Sequence, residues 1–154
     1  MYKNIAYDDK NIGLHDCRIN QMSYENEVLS FYFNDGIFVI SEGVDEPVRT
    51  GKARMDCHII DEEIDGIFIY IFDKKSKGKS IREDWTDNFI AAINDGSFEF
   101  EFVTTYKSYQ HLLFKGYVWF DKKPYSKECE IELHTDKVTF RWDEKVEVDY
   151  EGTD

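Results

Sequence analysis

Apolar and polar residues alternate with period two over most of this chain, the pattern of strands that bury one face. The clearest instance, residues 13–40, reads as three antiparallel strands. In Phe33-Asn34-Asp35-Gly36-Ile37-Phe38 an Asp-Gly pair stands between two apolar runs, the signature of a two-residue hairpin loop with positive φ at both positions. The expected register sets Phe33 against Phe38 and Phe31 against Ile40, so that Leu29, Phe31, Phe33, Phe38 and Ile40 share one face. Upstream, a three-residue loop at Tyr24-Glu25-Asn26 brings Cys17 and Ile19 against Phe33 and Phe31; a two-residue loop would put Arg18 and Asn20 there and invert the strand.

The alternation continues downstream. After a loop at 41–50 that holds Gly43 and Pro47, the residues Ala53, Met55, Cys57 and Ile59 alternate with Lys52, Arg54, Asp56 and His58. A turn at 61–66 leads to residues 67–72, apolar on both faces and therefore a central strand or one covered by the helix. Phe98, Phe100 and Phe102 alternate with Glu99 and Glu101, and a long strand is expected over 111–120, followed by a turn at 121–125. A last hairpin is expected to turn at Thr135-Asp136, pairing Cys129, Ile131 and Leu133 with Trp142, Phe140 and Val138, and Glu130 with Arg141.

One segment has a different period. Ile81, Trp85, Phe89 and Ile93 recur every four residues, Ser80 and Glu83 are spaced as a capping box, and Gly96 supplies a left-handed stop, which predicts a helix over 81–94. The expected fold is thus a single α+β domain over 1–154. It comprises a mainly antiparallel sheet of about eight or nine strands, curled or two-layered, one amphipathic helix, and an acidic tail that frays from about 144. Asp-Gly recurs at 35, 65 and 95, but the intervening contents differ, so a common turn dipeptide accounts for it better than a repeat.

Composition narrows the function classes. Lys and Arg number 19 against 32 Asp and Glu, a formal net charge of −13, which repels nucleic acid and anionic lipid and favours a basic protein as partner. No apolar run approaches the ~20 residues of a membrane helix, and Met1-Tyr2-Lys3-Asn4 lacks the apolar core of a signal peptide, so a cytoplasmic protein is expected. The three cysteines, Cys17, Cys57 and Cys129, fall within apolar alternations and read as reduced core residues.

Motifs for chemistry are few. Gly78-Lys79-Ser80 lies between a strand and the expected helix, as a phosphate loop would, but Asp73 occupies the place of its first glycine. For zinc the candidate pairs are His15/Cys17, Cys57/His58 and Cys129/His134; none has the paired spacing of a ligand motif, and no metal or other cofactor is expected. No catalytic residue is assigned, and Glu128, Glu130 and Glu132 read as the wet face of a sheet. Aromatic residues make up 16% of the chain, more around 106–125 than one sheet face needs. Tyr106, Tyr109, Tyr117 and Trp119, with Glu99 and Glu101, form the candidate binding surface, while His15, Asp16 and His58 form the alternative, a polar site for a small enzyme or ligand-binding protein.

The segment Leu14-His15-Asp16-Cys17-Arg18-Ile19, then Glu27-Val28-Leu29-Ser30-Phe31-Tyr32-Phe33 and Asp35-Gly36, resembles the opening of several groups of small, uncharacterised bacterial β-rich proteins, some similar to immunity proteins of toxin systems. The resemblance covers about the first 40 residues and brings no catalytic residues. It implies structural roles, with His15 or Asp16 bonding a neighbouring loop and Leu14 or Ile19 packing. The leading expectation is a non-enzymatic, immunity-like binding protein; a homodimer closing through an exposed strand edge is the third arrangement such a sheet allows.

Overall fold

The computed structural model describes residues 2–60, 65–75 and 78–146. Its strands are β1 Asn4–Ala6, β2 Ile12–Gly13, β3 Arg18–Ile19, β4 Gln21–Glu25, β5 Val28–Phe33, β6 Phe38–Val39, β7 Val48–Arg49, β8 Ala53–Ile59, β9 Ile67–Lys75, β10 Lys79–Asp84, β11 Glu99–Ser108, β12 His111–Trp119 and β13 Ser126–Trp142, with one helix, α1 Phe89–Asn94. Ten strands form one antiparallel sheet along the path β3-β11-β12-β13-β8-β5-β4, with β1, β9 and β10 attached beside it, and β2-β6-β7 form a small second sheet. The fold is mainly antiparallel β, as expected, but the helix contributes only 6 of the described residues instead of spanning 81–94, too little for the expected α+β.

β13 organises this sheet. Over its first half it pairs with β12 and β9, over its second with β8 and β1. The chain leaves its edge at Ile60, whose N–H donates to the His134 carbonyl, and returns at Gly66, whose carbonyl accepts the His134 N–H, each at 2.8 Å. β8 and β9 therefore follow one another along the same edge. At the changeover a bulge between Thr135 and Lys137 shifts the pairing by one residue. Before it Cys129, Ile131 and Leu133 face inward; after it the buried apolar residue is Phe140, with Val138 and Trp142 packed beside it. This phase shift is why two apolar alternations around Thr135-Asp136 look like a hairpin. They are one continuous strand of 17 residues, and Glu130 does not meet Arg141.

The sheet is curled. β5 and β12 are separated by two intervening strands, so in a flat sheet their side chains would lie roughly 14 Å apart. The Phe31 ring instead lies 5.9 Å from Phe114 and 5.7 Å from Phe102. The end strands of the path, β3 and β4, are separated in sequence by Asn20 alone. They do not pair with each other, so the barrel stays open, and α1 lies at that seam. Its Phe89 packs on Phe98 and Phe100, while the Asn94 amide accepts from the Met22 N–H and donates to the Met22 carbonyl, both at 2.9 Å. An amide side chain thus takes the place of a neighbouring strand along β4. Phe102 is at the centre of the core, its ring within 4.8 to 5.7 Å of those of Phe31, Phe33, Phe100 and Phe114.

Three local expectations change. The turn at Asp35-Gly36 forms, with Gly36 at φ 81° and its N–H donating to the Phe33 carbonyl, but it does not make a hairpin. Both edges of β5 are taken by β4 and β8, so β6 runs off to pair with β2 and β7, and Ile40 is exposed. The upstream loop is the two-residue pair Asn26-Glu27, both left-handed at φ 52° and 63°, which aligns Met22 with Phe31. Cys17 and Ile19 belong elsewhere; Ile19 pairs with Phe100 on β11. Residues 79–84 extend along β9 as β10 instead of starting the helix, with Ser80 opposite Lys74, Ile81 exposed, and Asn88 at the true helix start. Gly96, at φ 83°, does follow the helix end. The turn at 61–66 lies largely outside the described residues, as does the tail from 147 onward.

Two substitutions test this architecture by urea unfolding. Phe102→Ala removes the ring shared by four aromatic contacts and should cost about 3–5 kcal/mol. Gly36→Ala imposes a left-handed alanine whose Cβ overlaps the carbonyls of Thr50 and Gly51, and should cost about 2 kcal/mol or more.

Candidate functional site

The alternation that buries one face of β9, β13, β12 and β11 leaves the opposite face outward, and the register fixes who stands beside whom. Phe72, Glu128, Tyr117 and Glu101 lie side by side across the four strands, an aromatic and a carboxylate in turn. One step along, Tyr70 neighbours Glu130, which neighbours Lys115; beyond these come Phe68, Glu132, Leu113 and Tyr106. At the other end Trp119 is paired with Glu99. Of the residues expected to bind, Tyr106, Tyr117, Trp119, Glu99 and Glu101 thus share this outer face. Tyr109 does not; it stands in the β11–β12 turn, 89% exposed.

Within the ladder the charges are unevenly satisfied. Trp119 donates its indole N–H to Glu101 at 2.7 Å, and the Arg18 guanidinium lies 4.7 Å from the Trp119 ring and 3.7 Å from the same carboxylate. Lys115 pairs with Glu130 and Lys127 with Asp73. Glu99 and Glu128 have no ion-pair partner among the described residues, and Glu128 is exposed. Two shallow depressions of about 230 Å³ each flank Tyr117, and both are bordered by Phe72 and Glu128. Gly116 makes this face close-packed beneath: a Cβ there would overlap the Glu101 carbonyl, where β11 bulges between Phe102 and Thr104.

A deeper cavity, of about 400 Å³, opens where β12 and β1 diverge on the far side of the β13 bulge. Met55, Phe114 and Phe140 make its apolar floor, and Asp8, Lys137 and His111 stand at its polar rim. Lys107 spans part of that rim to Asp9 at 3.1 Å. Next to it, His111 and His134 face each other across β12 and β13, and Glu132 lies two residues back on the same face. His111 Nε2 and Glu132 Oε1 are 2.7 Å apart. These three are the sole group of three or more His, Cys, Asp or Glu donors among the described residues that lie close enough together to hold a metal ion. Sequence reasoning missed them because only the β12–β13 register brings His111 to His134; Cys129, the sequence neighbour that could pair with His134, points into the core.

The alternative polar site does not assemble. His15 bonds through Nδ1 to the Val103 carbonyl at 2.9 Å and pairs with Asp16 at 3.4 Å, tying the Leu14–Ile19 segment to the bulge of β11, while Leu14 and Ile19 pack in the core. His58 contacts Glu27 and Asp136 instead, at 3.7 and 2.7 Å. No hydrogen bond or ion pair among the described residues joins His58 to His15 or Asp16. All three cysteines are free and buried. Burial pushes the Cys17 thiol up to about 11 despite the opposing Arg49 charge, and raises Cys57 and Cys129 well above the ordinary range.

No protein-family model, curated protein or solved structure matches this chain.

The raised thiol values have a measurable consequence. A thiol whose pKa lies above its ordinary value of 9 stays protonated at pH 8 and is a poor nucleophile. At that pH a disulfide reagent should find no fast-reacting thiol in the native protein and three after denaturation, counted by the released chromophore.

Proposed function

We propose that this protein is a non-enzymatic binding domain that holds a basic protein on the outer face of β9, β13, β12 and β11, in the manner of an immunity-like inhibitor. The observation that carries this reading is the row Phe72, Glu128, Tyr117 and Glu101, with a shallow depression on each side of Tyr117. Rigid aromatic rings beside carboxylates suit lysine and arginine side chains, which can lay their stems on a ring and their charge against an acid. Glu128, exposed and without an ion-pair partner among the described residues, is the natural acceptor. The net charge of −13 adds long-range steering toward a basic surface and against nucleic acid or anionic lipid. The early resemblance to immunity-like proteins points the same way.

A second reading rests on one observation, the cavity with an apolar floor and polar rim beside His111, which suits a small amphipathic ligand. The two are separated by what the purified protein retains. Pull-down from lysate of the source cells at low and high salt should recover one stoichiometric basic protein, released by salt. Glu128→Lys and Tyr117→Ala should each weaken its binding about 10- to 100-fold without changing the melting temperature. Retention of a small molecule with no protein, unaffected by either substitution, would favour the cavity.

A further inference from the structure

We propose that His111, Glu132 and His134 form a binding site for a divalent transition metal of the zinc type. Strand register assembles the set: His111 and His134 are direct cross-strand neighbours, and Glu132 shares their face two residues along β13. One donor atom from each lies within 4.8 Å of the other two. Ligand atoms around a tetrahedral zinc, each about 2.1 Å from it, are roughly 3.4 Å apart, so small side-chain rotations complete the geometry.

The chemistry, the framework and the charge agree. Two imidazoles and one carboxylate match zinc or its neighbours in the transition series; calcium and magnesium need more oxygen donors than the set provides. His134 is held on a backbone bonded to both Ile60 and Gly66, and the Phe68 ring lies 5.9 Å from its imidazole. Such support fixes a ligand before the metal arrives. The only ion-pair partner of Glu132 among the described residues is His111; no lysine or arginine neutralises it. A metal ion would take the place of the contact between these two groups and bring His134 into the same set. Three protein ligands leave the fourth position open to solvent. This site lies at one end of the same outer face, where Glu132 stands in the ladder, and is tested apart from the proposed basic-protein contact because Tyr117 and Glu128 take no part in it.

The test is a titration of tag-free, chelator-treated protein with Zn²⁺ by calorimetry and with Co²⁺ by visible absorption. One equivalent of zinc should bind with a dissociation constant below about 10 µM, and Co²⁺ should develop the intense visible bands of a tetrahedral site. His111→Gln and His134→Gln should each weaken zinc binding at least about 30-fold, and Glu132→Gln about 10-fold, with far-UV circular dichroism unchanged. Two histidine variants on different strands are used so that one folded variant suffices. His58→Ala, which removes the histidine contacts to Glu27 and Asp136, should leave the affinity as it was. A dissociation constant above 10 µM, wild-type affinity in a folded His111 or His134 variant, or loss of binding in His58→Ala would overturn the assignment.

Discussion

A strand has two edges, and every hydrogen-bonding group on them must find a partner once it is out of water. β13 meets that demand with four different strands, β9 then β8 along one edge and β12 then β1 along the other. The remainder of the fold follows from this sharing. The bulge between Thr135 and Lys137 turns the second half of β13 relative to the first, the sheet curls, and aromatic side chains from β5 reach those from β11 and β12. The same bulge separates β12 from β1, and the apolar floor of the large cavity is what remains uncovered between them.

Period-two patterning was the most legible part of the sequence. It identified β8 and β9, the inward faces of β11 and β12, and the core triad Leu29, Phe31 and Phe33. It failed where two structures share one local pattern. Residues 81–93 carry apolar groups at four-residue spacing, which is also every second same-face position of an alternating strand, and pairing with β9 decided the matter for 79–84. A bulge and a hairpin both reverse the phase of an alternation, so residues 129–142 could be read either way. Left-handed Glu27 has no compositional signal of its own; Asn26 does, and one of the two loop positions was therefore visible.

The candidate surfaces divide in the same manner. Residues on one strand or on adjacent strands of a hairpin, such as Tyr117, Trp119, Glu99 and Glu101, could be placed on one face from parity alone. His111 and His134 meet only through the pairing of β12 with β13, and nothing in either segment read separately shows it. His15 and His58 failed to converge for the converse reason. His15 stands in the turn between β2 and β3 while His58 stands on β8, and each histidine is held by its own carbonyl or carboxylate.

The position of β13 in the chain bears on how the protein is made. Every strand that β13 joins precedes it, and β1 waits for a partner whose residues lie almost 140 positions downstream. Such long sequence separations slow folding, because the entropy of closing large loops is lost before the contacts form. On the ribosome, β1, β8, β9 and β12 emerge with unfilled edges and exposed phenylalanines until residues 126–142 leave the exit tunnel. These edges stay unpaired until β13 follows, so the order of the strands in the chain makes the central pairing the last to become possible.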